Sequence, residues 1–257
     1  MVINFSKIKK IFSQEAKLIE IKNPKNVIFV GDTHGDFEAS EKVIEKYLKP
    51  GNKIVFLGDY IDRGPHSKEN LDYLLGQKEK FPNQIYLLQG NHEGHHILEF
   101  SPADFWENLN EDEYKKYTEI VEKFPLVAVV RDIIALHGAL PQVKDLKEIN
   151  KIELGSERWL QITWGDFVEE PGKFLGFNPT TGRPQFGRDW FEKLMKRFEK
   201  KILIRSHQPT APRYMFKDRC LTIFSSRAYA TEPIIAIADL TGKIKSAKDL
   251  KILKIFP

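Results

Sequence analysis

The chain of 257 residues carries 40 Lys and Arg against 36 Asp and Glu, a net charge of +4, and 41% of it is hydrophobic. That balance suits one soluble domain over residues 1–257, able to bury a core, and excludes the concentrated basic stripe that a nucleic-acid or membrane-surface protein needs. One cysteine, Cys220, excludes an internal disulfide; with no apolar run near about 18 residues and no leader pattern, a cytoplasmic protein is expected.

Three short apolar runs, NVIFV (26–30), KIVFL (53–57) and QIYLL (84–88), punctuate the first third. Helical periodicity follows each of them, over about 37–49, over about 67–80 and from about 93. This is a βαβαβ layout, and right-handed crossovers bring the carboxyl ends of such parallel strands to one edge. The helical pattern continues through SPADFWENLNEDEYKKYTEIVEKF (101–124), with Ser101 and Pro102 as first-turn residues, until Pro125 stops it. LVAVV (126–130) and IIAL (133–136), separated only by Arg131 and Asp132, read as a tight hairpin. From about 142 to 187 the Gly and Pro content predicts mostly loop with short helices. A helix over DWFEKLMKRFEKK (189–201) follows, then strands at ILIR (202–205), RYMF (213–216), LTIF (221–224) and PIIAIAD (233–239). Little more than a short Lys- and Ile-rich end is expected after Leu240. The expected fold is α/β, an α+β sandwich of two mixed β-sheets flanked by helices around the βαβαβ core.

Each of the first three strands ends in a glycine followed by a side chain able to bind metal: VGDTHG (30–35), LGDYIDRG (57–64) and QGNHEG (89–94). Glycine there lets the backbone turn sharply without a Cβ clash. Carboxylates, imidazoles and an amide oxygen, with no thiolate, suit two divalent cations such as Mn²⁺, Fe²⁺ or Zn²⁺ rather than a structural zinc. Asp32 and His34 read as holding the first ion, Asp59 as bridging, and Asn91 as beginning the ligand set of the second. His137 in IIALHGALP and His207 in ILIRSHQP, each closing an apolar strand, complete that set. Taken singly, each acidic or amide residue would be a turn or cap and each histidine a core residue. Their repetition at matching strand ends favours ligation.

GDTHG, GDYIDRG and GNHE, followed in order by HGALP, WGD and RSHQ, resemble the signature set of the PPP family of metal-dependent serine/threonine protein phosphatases, within the metallophosphoesterase superfamily. The likeness opens at EAKLIEIKNP, similar to the family's lead-in helix and strand, and runs to PIIAIAD. It implies the same six metal ligands, with Mn²⁺ the first expectation. It also implies that Arg63 binds the substrate phosphate together with Asn91, Tyr229 of FSSRAYA and a second arginine. Arg183 in TGRPQFG resembles that arginine, with Arg188 competing for the role. His92, held by Asp62, would be the general acid, while a water or hydroxide bridging the metals attacks phosphorus in line. Asp166 in TWGDF would organise the loop under His207.

The implied partner is a phosphoprotein or phosphopeptide substrate, with no nucleic acid and no membrane, and regulatory subunits unassigned. A diadenosine polyphosphate hydrolase of the same fold is the alternative, weakened by GNHE where several such branches carry GNHD. A nuclease would need a basic stripe, and an inactive scaffold would not need intact ligands with His92 and Arg63. His66, His95 and His96 read as surface neighbours of the site. Cys220 lacks the arginine six positions on that a cysteine phosphatase requires, since Ser226 stands there.

Overall fold

The structure, a computed structural model, describes residues 3–257. In chain order it contains α1 (Phe5–Ser13), β1 (Leu18–Glu20), β2 (Asn26–Val30), α2 (Phe37–Tyr47), β3 (Asn52–Phe56), α3 (Ser67–Lys80) and β4 (Ile85–Leu87). Then come α4 (Asp104–Glu107), α5 (Glu111–Val121), β5 (Val127–Val130), β6 (Ile133–Leu136), α6 (Glu157–Trp164), β7 (Asp166–Phe167), β8 (Phe174–Phe177) and β9 (Pro184–Phe186). The chain closes with α7 (Arg188–Arg197), β10 (Ile202–Arg205), β11 (Tyr214–Met215), β12 (Cys220–Thr222), β13 (Ile234–Asp239) and β14 (Lys251–Lys254).

A run such as NVIFV is apolar on both faces of the strand it forms, so both faces must be covered. The fold does this with two mixed sheets face to face and helices outside each. One sheet has the order β14-β13-β2-β3-β4 and the other β1-β5-β6-β10-β12-β11. Val27, Phe29, Val55 and Leu57 point into the space between the sheets, where Ala128, Val130, Ile133, Ala135, Ile202 and Ile204 meet them. The intervening residues of β2 and β3, Ile28, Val30, Ile54 and Phe56, face out against α1, α2, α3 and α5. On the far side Leu136 and Leu203 pack with Trp159, Ile162, Phe191 and Leu194 of α6 and α7. Strands β2, β3 and β4 are parallel neighbours, so the βαβαβ expectation holds and their carboxyl ends share one edge.

Several local readings change. The N-terminal helix lies at Phe5–Ser13, upstream of EAKLIEIKNP, because Ile8 and Phe12 supply its buried face; that segment contributes only β1. No helix starts near residue 93: a single 3₁₀ turn, His92–Gly94, stands there, its Glu93 side chain turned back onto backbone N–H groups of the neighbouring loops. The helical stretch 101–124 splits into α4 and α5, because the Asn110 side chain accepts from Glu113 N at 3.0 Å and starts a new helix. In the segment 142–187 the short helices are present, a 3₁₀ stretch at Leu146–Lys151 and α6, but part of the expected loop pairs instead into a three-stranded sheet, β7-β9-β8. Beyond Leu240, β14 pairs antiparallel with β13 over four residues and extends the sheet that holds β2.

Candidate active site

The carboxyl ends of β2, β3, β4, β6 and β10 open on one rim, where the chain after β2 meets the chain after β12 through an isolated bridge between Asp32 and Phe224. Two loops approach so closely that only glycine fits. Gly58 has φ +111°, and a Cβ there would lie 2.4 Å from Gly90 N, while one on Gly90 would lie 2.2 Å from Asp59 Oδ1. Five residues of the rim adopt left-handed backbone: His34 (φ 38°), Asp59 (54°), Asp62 (65°), Arg63 (69°) and His207 (69°). Such conformations cost about 1–3 kcal/mol each and concentrate where function fixes side-chain direction.

All six sequence-predicted ligands come together and are buried. His137 Nε2 lies 3.1 Å from Asn91 Oδ1, 3.1 Å from His207 Nδ1 and 3.2 Å from Asp59 Oδ2. His34 Nε2 lies 3.6 Å from Asp59 Oδ2 and 3.8 Å from Asp32 Oδ2, so Asp59 stands between the two groups. Ligand atoms about 3 Å apart are what bonds of about 2.0–2.2 Å to a shared ion produce. The tautomers agree: Ile61 O accepts from His34 Nδ1 at 2.7 Å and Leu57 O accepts from His137 Nδ1 at 3.0 Å. Each Nε2 is thereby turned toward the cluster, and that of His34, although buried, has no hydrogen-bond partner among the described residues.

The electrostatics also favour cations. Burial, and for His34 the neighbouring His92, hold the His34 and His207 imidazoles well below their ordinary range, so both are neutral donors of a lone pair. Burial would raise the Asp59 carboxyl, yet the imidazoles of His137, His92 and His34 outweigh it and hold that carboxyl well down. At His137 burial opposes a proton, but the carboxylates of Asp59 and Asp32 win and draw positive charge to it. The donor set therefore fits two divalent ions, one between Asp32, His34 and Asp59 and one between Asp59, Asn91, His137 and His207.

His92 sits beside this cluster and close enough to His34 and Asp59 to count as a ligand itself. Its Nδ1 is 2.5 Å from Asp62 Oδ2, its Nε2 is 4.0 Å from Asp59 Oδ2, and Asp62 Oδ1 accepts from Phe105 N at 2.7 Å. Trp106 Nε1 donates to His92 O at 2.9 Å, so the short helix α4 braces the pair. Arg63 is exposed; its Nη2 lies 3.3 Å from His92 Nε2, and its Nη1 donates to the Tyr229 hydroxyl at 2.5 Å. Tyr229 in turn donates to Asp32 Oδ2 at 3.1 Å. Burial and the Asp32 carboxylate push the phenol far above its ordinary range, so it stays a donor. Of the two competing arginines, Arg183 reaches the rim, donating to His207 O at 3.4 Å, whereas Arg188 turns away to Glu169 O at 3.1 Å. Asp166 Oδ1 lies 3.6 Å from His207 Nε2.

Sequence reasoning missed two supports. Glu93 accepts from the N–H groups of Asp59, Tyr60 and Gly90 at 2.8–2.9 Å, locking the two glycine loops together. Burial and the Asp59 carboxylate push its carboxyl up to about 8. Arg205, wholly buried, donates to Gly138 O, Gly165 O and Gln208 Oε1, joining the loops after β6, α6 and β10. An arginine closing the apolar run ILIR was the available signal. His95 and His96 are half-buried rather than surface residues, with the His95 ring stacked on Trp106 at 5.9 Å; His66 is exposed. Cys220 is buried, and burial pushes its thiol up to about 12, which leaves it inert.

The family profile of calcineurin-like phosphoesterases matches residues 25–211. Over 238 residues the chain is 30% identical to the serine/threonine-protein phosphatase C23G10.1 of Caenorhabditis elegans, an alignment covering 86% of this chain and 51% of that protein. The chain thus spans about half the length of that curated relative. Among solved structures, a protein serine/threonine phosphatase from Saccharomyces cerevisiae with similarity to human phosphatase PP5 superposes with a TM-score of 0.81 at 21% identity, covering 97% of this chain and 86% of that one. The cold-active protein-tyrosine phosphatase of a psychrophilic Shewanella superposes with a TM-score of 0.57 at 14% identity, covering 89% and 78%.

Proposed function

Because the chain belongs to the calcineurin-like phosphoesterase family, we propose that it is a metal-dependent serine/threonine protein phosphatase that hydrolyses phosphomonoesters in proteins or peptides. The observation that carries this reading is the meeting, on one rim, of a six-donor cluster, a His92–Asp62 pair and an exposed Arg63. Two divalent cations bound at that cluster, Mn²⁺ the first expectation, supply Lewis acidity toward phosphoryl oxygens and lower the pKa of a bound water. Arg63 and Arg183 bind phosphate oxygens from two sides, Arg63 with the fork geometry that suits them. Asn91 offers its amide N–H, which has no partner among the described residues, to the same phosphate. His92 gives a proton from Nε2 to the departing serine or threonine oxygen, while Asp62 keeps the proton on Nδ1 and steadies the imidazolium that it regenerates.

Among the described residues no helix is long and apolar enough to cross a membrane. A cytoplasmic location is proposed with the function, on the single buried thiol.

The reading is tested with a panel of phosphoserine, phosphothreonine and phosphotyrosine peptides and diadenosine tetraphosphate, run on metal-reconstituted protein. Phosphoserine and phosphothreonine peptides are expected to give the highest kcat/KM; a preference for the dinucleotide would replace the assignment. Arg63→Ala is expected to raise KM for phosphopeptides about 10-fold or more with a smaller change in kcat, since it removes a charge-assisted contact present before and during reaction. Unchanged KM would remove Arg63 from substrate binding.

A further inference from the structure

Tyr229 touches Asp32 and Arg63 at once, yet it lies in the turn between β12 and β13, outside any strand. What holds that turn is a neighbour two residues earlier. Arg227 N and Nε each donate to Asp36 Oδ2 at 2.9 Å, and its Nη2 donates to Asp36 Oδ1 at 2.6 Å. Its Nη1 meets Glu38 Oε2 at 2.9 Å, and the guanidinium lies over the Phe256 ring at 4.2 Å. Asp36 is 6% exposed and also caps α2 by accepting from Ala39 N, so one end of the contact is rigid. A bidentate guanidinium contact fixes direction as well as distance. The turn carrying Tyr229 is thus tied to the start of α2, two residues after His34.

We propose that Arg227 is a positioning residue: its clamp on Asp36 and Glu38 sets the Tyr229 hydroxyl against Arg63 and through it sets the affinity for the substrate phosphate. The inference rests on the proposed phosphatase reading for its kinetic consequence, though not for its structural one. It assigns the exposed half of Arg227 no contact with substrate. Glu38 and Phe256 keep that half occupied, and the cavity of about 530 Å³ beside it is also lined by His66 and Pro65.

The test compares wild type with Arg227→Ala, Arg227→Lys, Asp36→Asn, Tyr229→Phe and the double variant Arg227→Ala/Tyr229→Phe. Asp36→Asn keeps an oxygen for the α2 cap while losing the charge. In Arg227→Ala and Asp36→Asn, KM for a phosphopeptide and Ki for inorganic phosphate should rise about 10-fold, as loss of an outer supporting contact does, with kcat within about threefold. Arg227→Lys should recover part of the loss. The double variant should be no worse than Tyr229→Phe, because both act through one hydroxyl. Amide hydrogen exchange of residues 225–230 should quicken in Arg227→Ala, and this readout needs no activity. Unchanged exchange overturns the clamp whether or not the protein is a phosphatase. In an active wild type, unchanged KM and Ki overturn it too, and additive losses in the double variant would mean that Arg227 binds substrate itself. An inactive wild type with quickened exchange keeps the clamp and removes only the phosphatase reading.

Discussion

Asp59→Asn is expected to empty the metal site and abolish turnover, the largest effect of any single substitution in this chain. Asp59 Oδ2 lies between His137 Nε2 at 3.2 Å and His34 Nε2 at 3.6 Å, so it is the one group shared by both halves of the donor cluster. Asparagine keeps the size of the side chain, tolerates the left-handed backbone at φ 54°, and can still accept from His92 N through Oδ1. What it loses is the negative charge that would offset two cations in a buried place. Losing an outer support of a metal site costs about 10–100-fold in affinity or activity, so removing a shared ligand should exceed about 10²-fold. Thermal unfolding reads the same loss without a substrate. With Mn²⁺ at about 100 times its Kd, wild type should gain about 2.7 kcal/mol. That corresponds to a rise in Tm of about 5–11 °C for a chain of this size. The variant should gain none of it. Exhaustive chelation should silence wild type and Mn²⁺ should restore it; an Asp59→Asn variant that keeps its metal and its rate would overturn the binuclear assignment.

His92→Asn is expected to lower kcat by about 10² to 10⁴, the range for loss of a positioned general acid, while metal content stays at the wild-type level. Metal content matters because His92 lies close enough to His34 and Asp59 to be a third ligand there. Its Nδ1 is held by Asp62 at 2.5 Å, while its Nε2 lies 3.3 Å from Arg63 Nη2 and 4.0 Å from Asp59 Oδ2, between the arginine and the donor cluster. A leaving group that needs no proton separates the two roles. With p-nitrophenyl phosphate, whose phenolate departs unaided, the loss should be much smaller than with phosphoserine peptide. Equal losses on both substrates, or a fall in bound metal, would end the acid assignment. Asp62→Asn should show the same dependence on leaving group at smaller amplitude, since it acts by holding the imidazole.

The ligand cluster was legible because its geometry follows from local rules. Parallel strands joined by right-handed crossovers put Asp32, Asp59 and Asn91 on one edge whatever the surrounding loops do. The apolar runs before His137 and His207 marked two further strand ends, but β6 and β10 belong to the other sheet, and only its packing against the first brings them to the same rim. The supports were less legible. Glu93 entered the sequence reading only as the last residue of GNHE, and only the approach of the Gly58 and Gly90 loops reveals three N–H groups for it to bind. Phe105 and Trp106 brace Asp62 and His92 from a helix that periodicity merged with its successor. Arg183 and Arg188 differ by five positions, and no pattern says which of them faces the rim.

The sequence by itself supplied grounds for the layered α/β architecture and the six candidate ligands, because strand period and ligand chemistry act over a few residues at a time, whereas the pairing of His92 with Asp62 was readable only through the family resemblance. Tertiary structure alone decided the contacts between distant segments: Tyr229 with Asp32, 197 positions away, Arg227 with Asp36, 191 away, and the pairing of β14 with β13. The three short strands within 142–187 belong to the same class, each only two to four residues long. Segments that short have too little intrinsic preference to declare themselves. They form because the folded surroundings offer backbone partners and burial, a free energy that no window of sequence contains.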